Sequence, residues 1–124
     1  MRRVLKRRSF AKWQAGENIR NAVLCNVVLE MERGLIDAVL GESLYKMRVS
    51  RPGGGKRSGY RVFVAARLGT RYVFMHGFPK NVRANITRSE KKALQFAGKA
   101  FLELTGNALV ESLKAGVLLE VDCE

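Results

Sequence analysis

Two runs of alternating residues, Gly59 to Leu68 and Arg71 to Phe78, are separated by only Gly69 and Thr70. Period-two alternation over this length reads as a strand, and a two-residue Gly-X link between two such runs reads as a tight antiparallel hairpin. A third run, Leu44 to Val49, precedes them across SRPGGGKRS, where Pro52 and three glycines exclude regular structure. The middle of the chain is thereby committed to a small antiparallel sheet.

Parity divides the side chains of that sheet. Leu44, Lys46 and Arg48 fall on one face of the first of these strands, and Tyr45, Met47 and Val49 on the other. In the next strand Arg61, Phe63, Ala65 and Arg67 oppose Tyr60, Val62, Val64 and Ala66. A buried face would not take Lys46 and Arg48 together, so that face is expected to be open to solvent or ligand. In the third strand His76, the one histidine, shares parity with Tyr72, Phe74 and Phe78, a set that reads as buried. His76 is therefore expected to be a packed residue and not a base.

The flanks read as scaffold. Val4 and Leu5 suggest a short edge strand over Arg3 to Lys6. Ser9 is placed to cap a helical turn, FAKWQ, with Phe10 and Trp13 on one face and Trp13 in the core rather than stacked on a base. Ile19, Val23, Val27 and Met31 predict one amphipathic helix from Glu17 to Arg33, stopped at Gly34. LIDAVLG, ending at Gly41, is expected to form a turn or short helix. Leu94, Ala97, Phe101 and Leu104 predict a helix starting at Ser89 as its cap, NALVESLKAG a shorter one ending at Gly116, and VLLEVD a last strand at a sheet edge. The expectation is one domain over residues 1–124, of the α+β class: a small twisted, mainly antiparallel sheet with helices packed on one face. At 124 residues such a domain buries roughly two thirds of its unfolded surface.

Charge is distributed unevenly. The net charge is +12, and from Lys46 to Lys92 there are thirteen basic residues against one acid, Glu90; residues 1–13 add six basics and no acid. Clustered cations of this kind suit a polyanion, because they release counterions from a phosphate backbone. GGGKRS fails as a nucleotide-binding P-loop: Ser50 and Arg57 stand where glycine and Ser or Thr are required, and a strand follows instead of a helix. A single carboxylate among so many cations leaves no place for Mg²⁺, and no cofactor or metal is expected. Cys25 and Cys123 match no metal-ligand or CxxC spacing and are read as reduced. MRRVLKRRSF lacks an apolar run behind its charged head and no segment is long enough to span a membrane, so a cytoplasmic protein is expected.

At KMRV, GGGKRSGYRVFVA and GFPKN the chain resembles the RelE/ParE superfamily of toxins from type II toxin-antitoxin systems, nearest its RelE/HigB-like branch. FAKW, EMERGLIDAVLG and the VLLEV tail extend the resemblance over nearly the whole length. It implies cleavage of messenger RNA in the ribosomal decoding site, inhibiting translation, with Lys46, Arg48, Arg61 and Lys80 in the positions of the catalytic cations. Asn81 stands where RelE carries an arginine, and the C-terminal tyrosine of RelE has no counterpart. The implied partners are the ribosome, messenger RNA and a cognate antitoxin, expected to be a helix-turn-helix protein encoded next door.

Cleavage by the RNA's own 2′-hydroxyl needs a proton acceptor, charge stabilisation on the phosphorane and a proton donor for the 5′-oxygen. Crowded cations disfavour one another's charge, so Lys46 or Lys80 is expected to move down from about 10.4 toward a usable acid or base. Arg61 suits a fixed fork on the nonbridging oxygens. Lys56, Arg57, Asn81 and Arg83 are expected to bind RNA, and Arg2, Arg3, Arg7 and Arg8 to grip ribosomal phosphates. Two other readings remain: a ParE-like gyrase-binding toxin without nuclease activity, and a non-catalytic RNA- or ribosome-binding protein.

Overall fold

A computed structural model of the chain describes residues 2–51 and 59–123. Among these the order is β1 (Arg3–Arg7), α1 (Arg8–Gly16), α2 (Asn21–Glu32), β2 (Ala38–Gly41), β3 (Leu44–Val49), β4 (Tyr60–Arg67), β5 (Arg71–Pro79), α3 (Arg88–Leu102), α4 (Gly106–Lys114) and β6 (Leu118–Glu120). The strands make one sheet in the order β2-β3-β4-β5-β1-β6. Only β1 and β5 run parallel; the other neighbours are antiparallel. The α+β class and mainly antiparallel sheet agree with the sequence.

The helices, however, cover both faces rather than one. Phe10 of α1 and Leu24, Val27, Val28 and Met31 of α2 pack on the face carrying Met47, Val62, Val64, Tyr72 and Phe74. Leu94 and Leu102 of α3 and Leu109 of α4 pack on the opposite face with Leu44, Phe63, Ala65 and Val73. Burial of β4 is consequently continuous from Tyr60 to Ala66, as expected of a strand covered on both sides. Gly98 makes the second layer tight, since a Cβ there would lie 2.7 Å from that of Ala65.

Several elements depart from their sequence assignment. β1 is internal, between β5 and β6, so Val4 and Leu5 are buried on opposite faces. LIDAVLG supplies the edge strand β2 instead of a turn or helix, returning through Glu42 and Ser43, both at positive φ (52° and 64°). The expected Glu17 to Arg33 helix is broken at Asn18 (φ 58°), and α1 ends before it. Gln14 fills that corner: its Nε2 donates to Ile19 O and Asn21 Oδ1, and its Oε1 accepts from Lys6 Nζ. Ser9 caps nothing, α1 starting at Arg8 without a side-chain cap, and Thr87 caps α3 in place of Ser89. The β4–β5 link is three residues long, because Arg67 pairs with Arg71.

Cys25 of α2 and Cys123 are joined in a disulfide, their Cα atoms 5.5 Å apart, which corrects the reading of both as reduced. A sequence separation of 98 gave no sign of it. They meet because β6 lies beside β1, and the chain after it passes under α2. Trp13 packs against the core as expected, with ring centroids 5.4 Å from Phe10 and 5.6 Å from Tyr60.

Candidate functional site

Rows of facing residues cross β3, β4 and β5 on the α3 side of the sheet. Arg48 pairs with Arg61, which pairs with Phe78; Lys46 pairs with Phe63, which pairs with His76. Period-two geometry thus brings Lys46, Arg48 and Arg61 to one face. Lys80 N–H donates to Gly59 O (2.9 Å), carrying the β4–β5 ladder past Pro79, and places Lys80 at the parity of Phe78 with its side chain exposed. α3 crosses the same face at Ala65, one row beyond Lys46 and Phe63.

The face is less open than alternation implied. Arg61 is only 4% exposed, and its Nη1 donates to its neighbour's carbonyl, Tyr60 O, at 3.2 Å. Burial pushes the Arg61 guanidinium below its ordinary value, the charge of Arg48 pushes it the same way, and Asp37 opposes both. Since an arginine stays protonated across the working range, the consequence is a fixed, poorly hydrated charge rather than a proton donor. Arg48 lies beyond the end of β2, where no described residue pairs with it on that side of β3, and its Nε donates to Asp37 Oδ1 at 2.9 Å. There it lines a cavity of about 350 Å³ with Glu30, Leu35, Ile36 and Asp37. Lys46 is half-buried; Asn81 is exposed.

Arg83, expected to bind RNA, is held by protein groups. Its terminal amino groups donate to both oxygens of Glu90 (2.6 and 3.0 Å), its Nε donates to Asn85 O, and its guanidinium carbon lies 5.2 Å over the ring of Phe78. Glu90, also the acceptor for Thr87 N–H, is held at about 2, first by Arg83 and then by Thr87. Lys56 and Arg57 lie outside the described residues. The N-terminal arginines all have protein partners: Arg3 pairs with Glu120, Arg2 lies 3.5 Å from Glu32, Arg7 Nε donates to Met75 O, and Arg8 donates to Ala115 O and Gly116 O at the end of α4.

His76 stands elsewhere than parity foretold. The β4–β5 register shifts between Phe63 and Val64: Phe63 faces His76 whereas Val64 faces Phe74, so Met75 is an extra residue. One inserted residue reverses parity. Tyr72 and Phe74 go to the α1/α2 layer, and His76 joins Phe63 and Phe78 on the α3 side, its ring 6.0 and 5.9 Å from theirs. It is half-buried, not sealed in the core. Gly77 was the available signal, an isolated glycine within a strand marking a bulge or close approach; the ring of Trp13 fills the space its side chain would occupy.

The fold and the site together define a small α+β domain that carries lysine and arginine at one end of a sheet face. The model of one family, the RelE toxin of the RelE/RelB toxin-antitoxin system, matches residues 2–121, and the chain belongs to that family. A family of this kind implies a cognate antitoxin as partner. No curated protein matches the chain. Among the described residues no helix is long and apolar enough to cross a membrane.

Proposed function

We propose that this toxin is a ribosome-dependent endoribonuclease of messenger RNA, working in the cytoplasm and silenced by an antitoxin from an adjacent gene. The observation carrying the reading is the convergence of Lys46, Arg48 and Arg61 on two adjacent strands, with Lys80 at the parity of Phe78 on the third. In this reading Arg61 holds the nonbridging oxygens of the scissile phosphate; its burial favours that role, because a poorly hydrated guanidinium gives up little water when an anion arrives. Arg48, shared with Asp37, sets the near edge of the phosphate site. Lys46 and Lys80, on opposite sides of Arg61, are the candidates for accepting the 2′-hydroxyl proton and returning one to the 5′-oxygen. Bond making and breaking balance within the RNA: O2′–P forms, P–O5′ breaks, and a 2′,3′-cyclic phosphate and a 5′-hydroxyl result. The decoding site would supply the in-line geometry that so small a cluster does not impose alone.

Lys46→Ala and Lys80→Ala test this without emptying the core, since neither side chain is buried. Induction of the unaltered chain should arrest translation, and each variant should relieve the arrest while melting within a few degrees of the parent. Arrest unchanged in both variants contradicts the reading. Supercoiling defects with intact messages would mark a gyrase-directed toxin, and RNA binding without cuts a non-catalytic one.

A further inference from the structure

One row away from Arg61, a cavity of about 170 Å³ opens between β1, β5 and α3, lined by Arg7, His76, Glu90, Ala93 and Leu94. We propose that it receives a nucleobase of the bound RNA strand; this rests on the nuclease reading above. The bulge at Met75 is what turns His76 toward the α3 side, so cavity and cations share one face of the sheet. Arg61 and His76 are diagonal neighbours across β4 and β5, a separation of about 7–8 Å. That is the reach from a held phosphate, through its sugar, to the adjoining base.

The lining suits a flat, polar heterocycle. His76 offers a half-buried planar ring for stacking, and Ala93 and Leu94 give apolar walls. Arg7 Nε is committed to Met75 O (2.5 Å), and its terminal amino groups have no hydrogen bond to a described residue. They are available to a ring nitrogen or carbonyl. Glu90 Oε1 accepts from Thr87 and Arg83, whereas Oε2 accepts from Arg83 alone, which leaves it room for one further N–H. An acceptor beside a donor fits a base edge on which an N–H adjoins a carbonyl or ring nitrogen, an arrangement that a sugar phosphate without a base lacks. Burial lowers the His76 pKa, Glu90 opposes it, and Arg7 and Arg83 lower it again, so the imidazole is neutral at pH 7 and tolerates the neighbouring guanidinium.

A single histidine makes the test direct, because its imidazole resonances report on this cavity alone. The full chain is titrated by NMR with AMP, CMP, GMP, UMP and ribose 5-phosphate. The proposal expects saturable shifts of the His76 signals with at least one of the four nucleotides and no shift with ribose 5-phosphate. Ala93→Phe, at an exposed helix position, should fill the cavity and abolish the shifts. Equal responses to ribose 5-phosphate, or shifts that survive Ala93→Phe, overturn it. Mapping cuts in the same variant separates the two ideas: RNA cut by the parent with base preference unchanged in Ala93→Phe defeats the pocket alone, and absence of cuts by the parent defeats the nuclease reading.

Discussion

Glu90 accepts from Thr87 N–H at the start of α3 while its other contacts neutralise Arg83. The Thr87 hydroxyl accepts in return from Glu90 N–H, completing a capping box. Thr87→Ala should therefore lower stability by about 1 kcal/mol in urea denaturation. Glu90 also sets a pH dependence whose sign follows from its depressed value: folding favours the charged carboxylate, so its contribution is complete above about 4.5 and is lost as pH falls toward about 2. Melting temperature followed from pH 5 to 2 should fall less in Glu90→Gln than in the parent. Equal slopes would place the acid sensitivity elsewhere. None of this was legible beforehand: Arg83 looked like an RNA contact because a sequence displays a charge but not its partner.

At the scale of elements, the packing of α3 decides how much of the cationic face stays uncovered. Gly98 allows that packing, and Gly98→Val, which pushes atoms into the Ala65 side chain, should destabilise by about 2 kcal/mol. The same variant offers a check on α3, since a cost near zero would mean that the helix does not lie so close. α2 and the chain end form a second unit through Cys25 and Cys123. Closing a loop of that length is worth about 4–5 kcal/mol, so dithiothreitol should lower the denaturation midpoint markedly, and an unchanged midpoint would contradict a formed bond. The strands β3, β4 and β5 were readable because alternation and glycine-rich connections are local signals. β2 was not, for a four-residue apolar run has no distinguishing period, and neither was the internal place of β1, which depends on a non-local parallel pairing. The bulge at Met75 escaped for the same reason, and with it the true side of His76. Lys46, Arg48 and Arg61 were found because two of the best-patterned strands carry them; that Arg48 is paired depends on Asp37, a partner that no local pattern announces.

Over the whole molecule, the positive charge that the sequence concentrates in two segments is partly spent on structure. Arg2, Arg3, Arg8 and Arg71 bind carboxylates or helix-end carbonyls, so fewer than the 23 lysines and arginines of the sequence are at hand for a ligand. If Lys46, Arg61 and Lys80 make the principal phosphate contacts, RNA affinity should fall with salt at a logarithmic slope of about −2, against much steeper values if every cation took part. What such contacts achieve is best read in the cell. Mapping the 5′ ends of messages after induction tests the central claim most directly, using a reporter with its start codon and the same reporter without it. New ends inside translated codons of the first, with the second spared, are predicted. Intact messages during growth arrest would contradict nuclease activity, and equal cutting of both reporters would contradict its dependence on the ribosome.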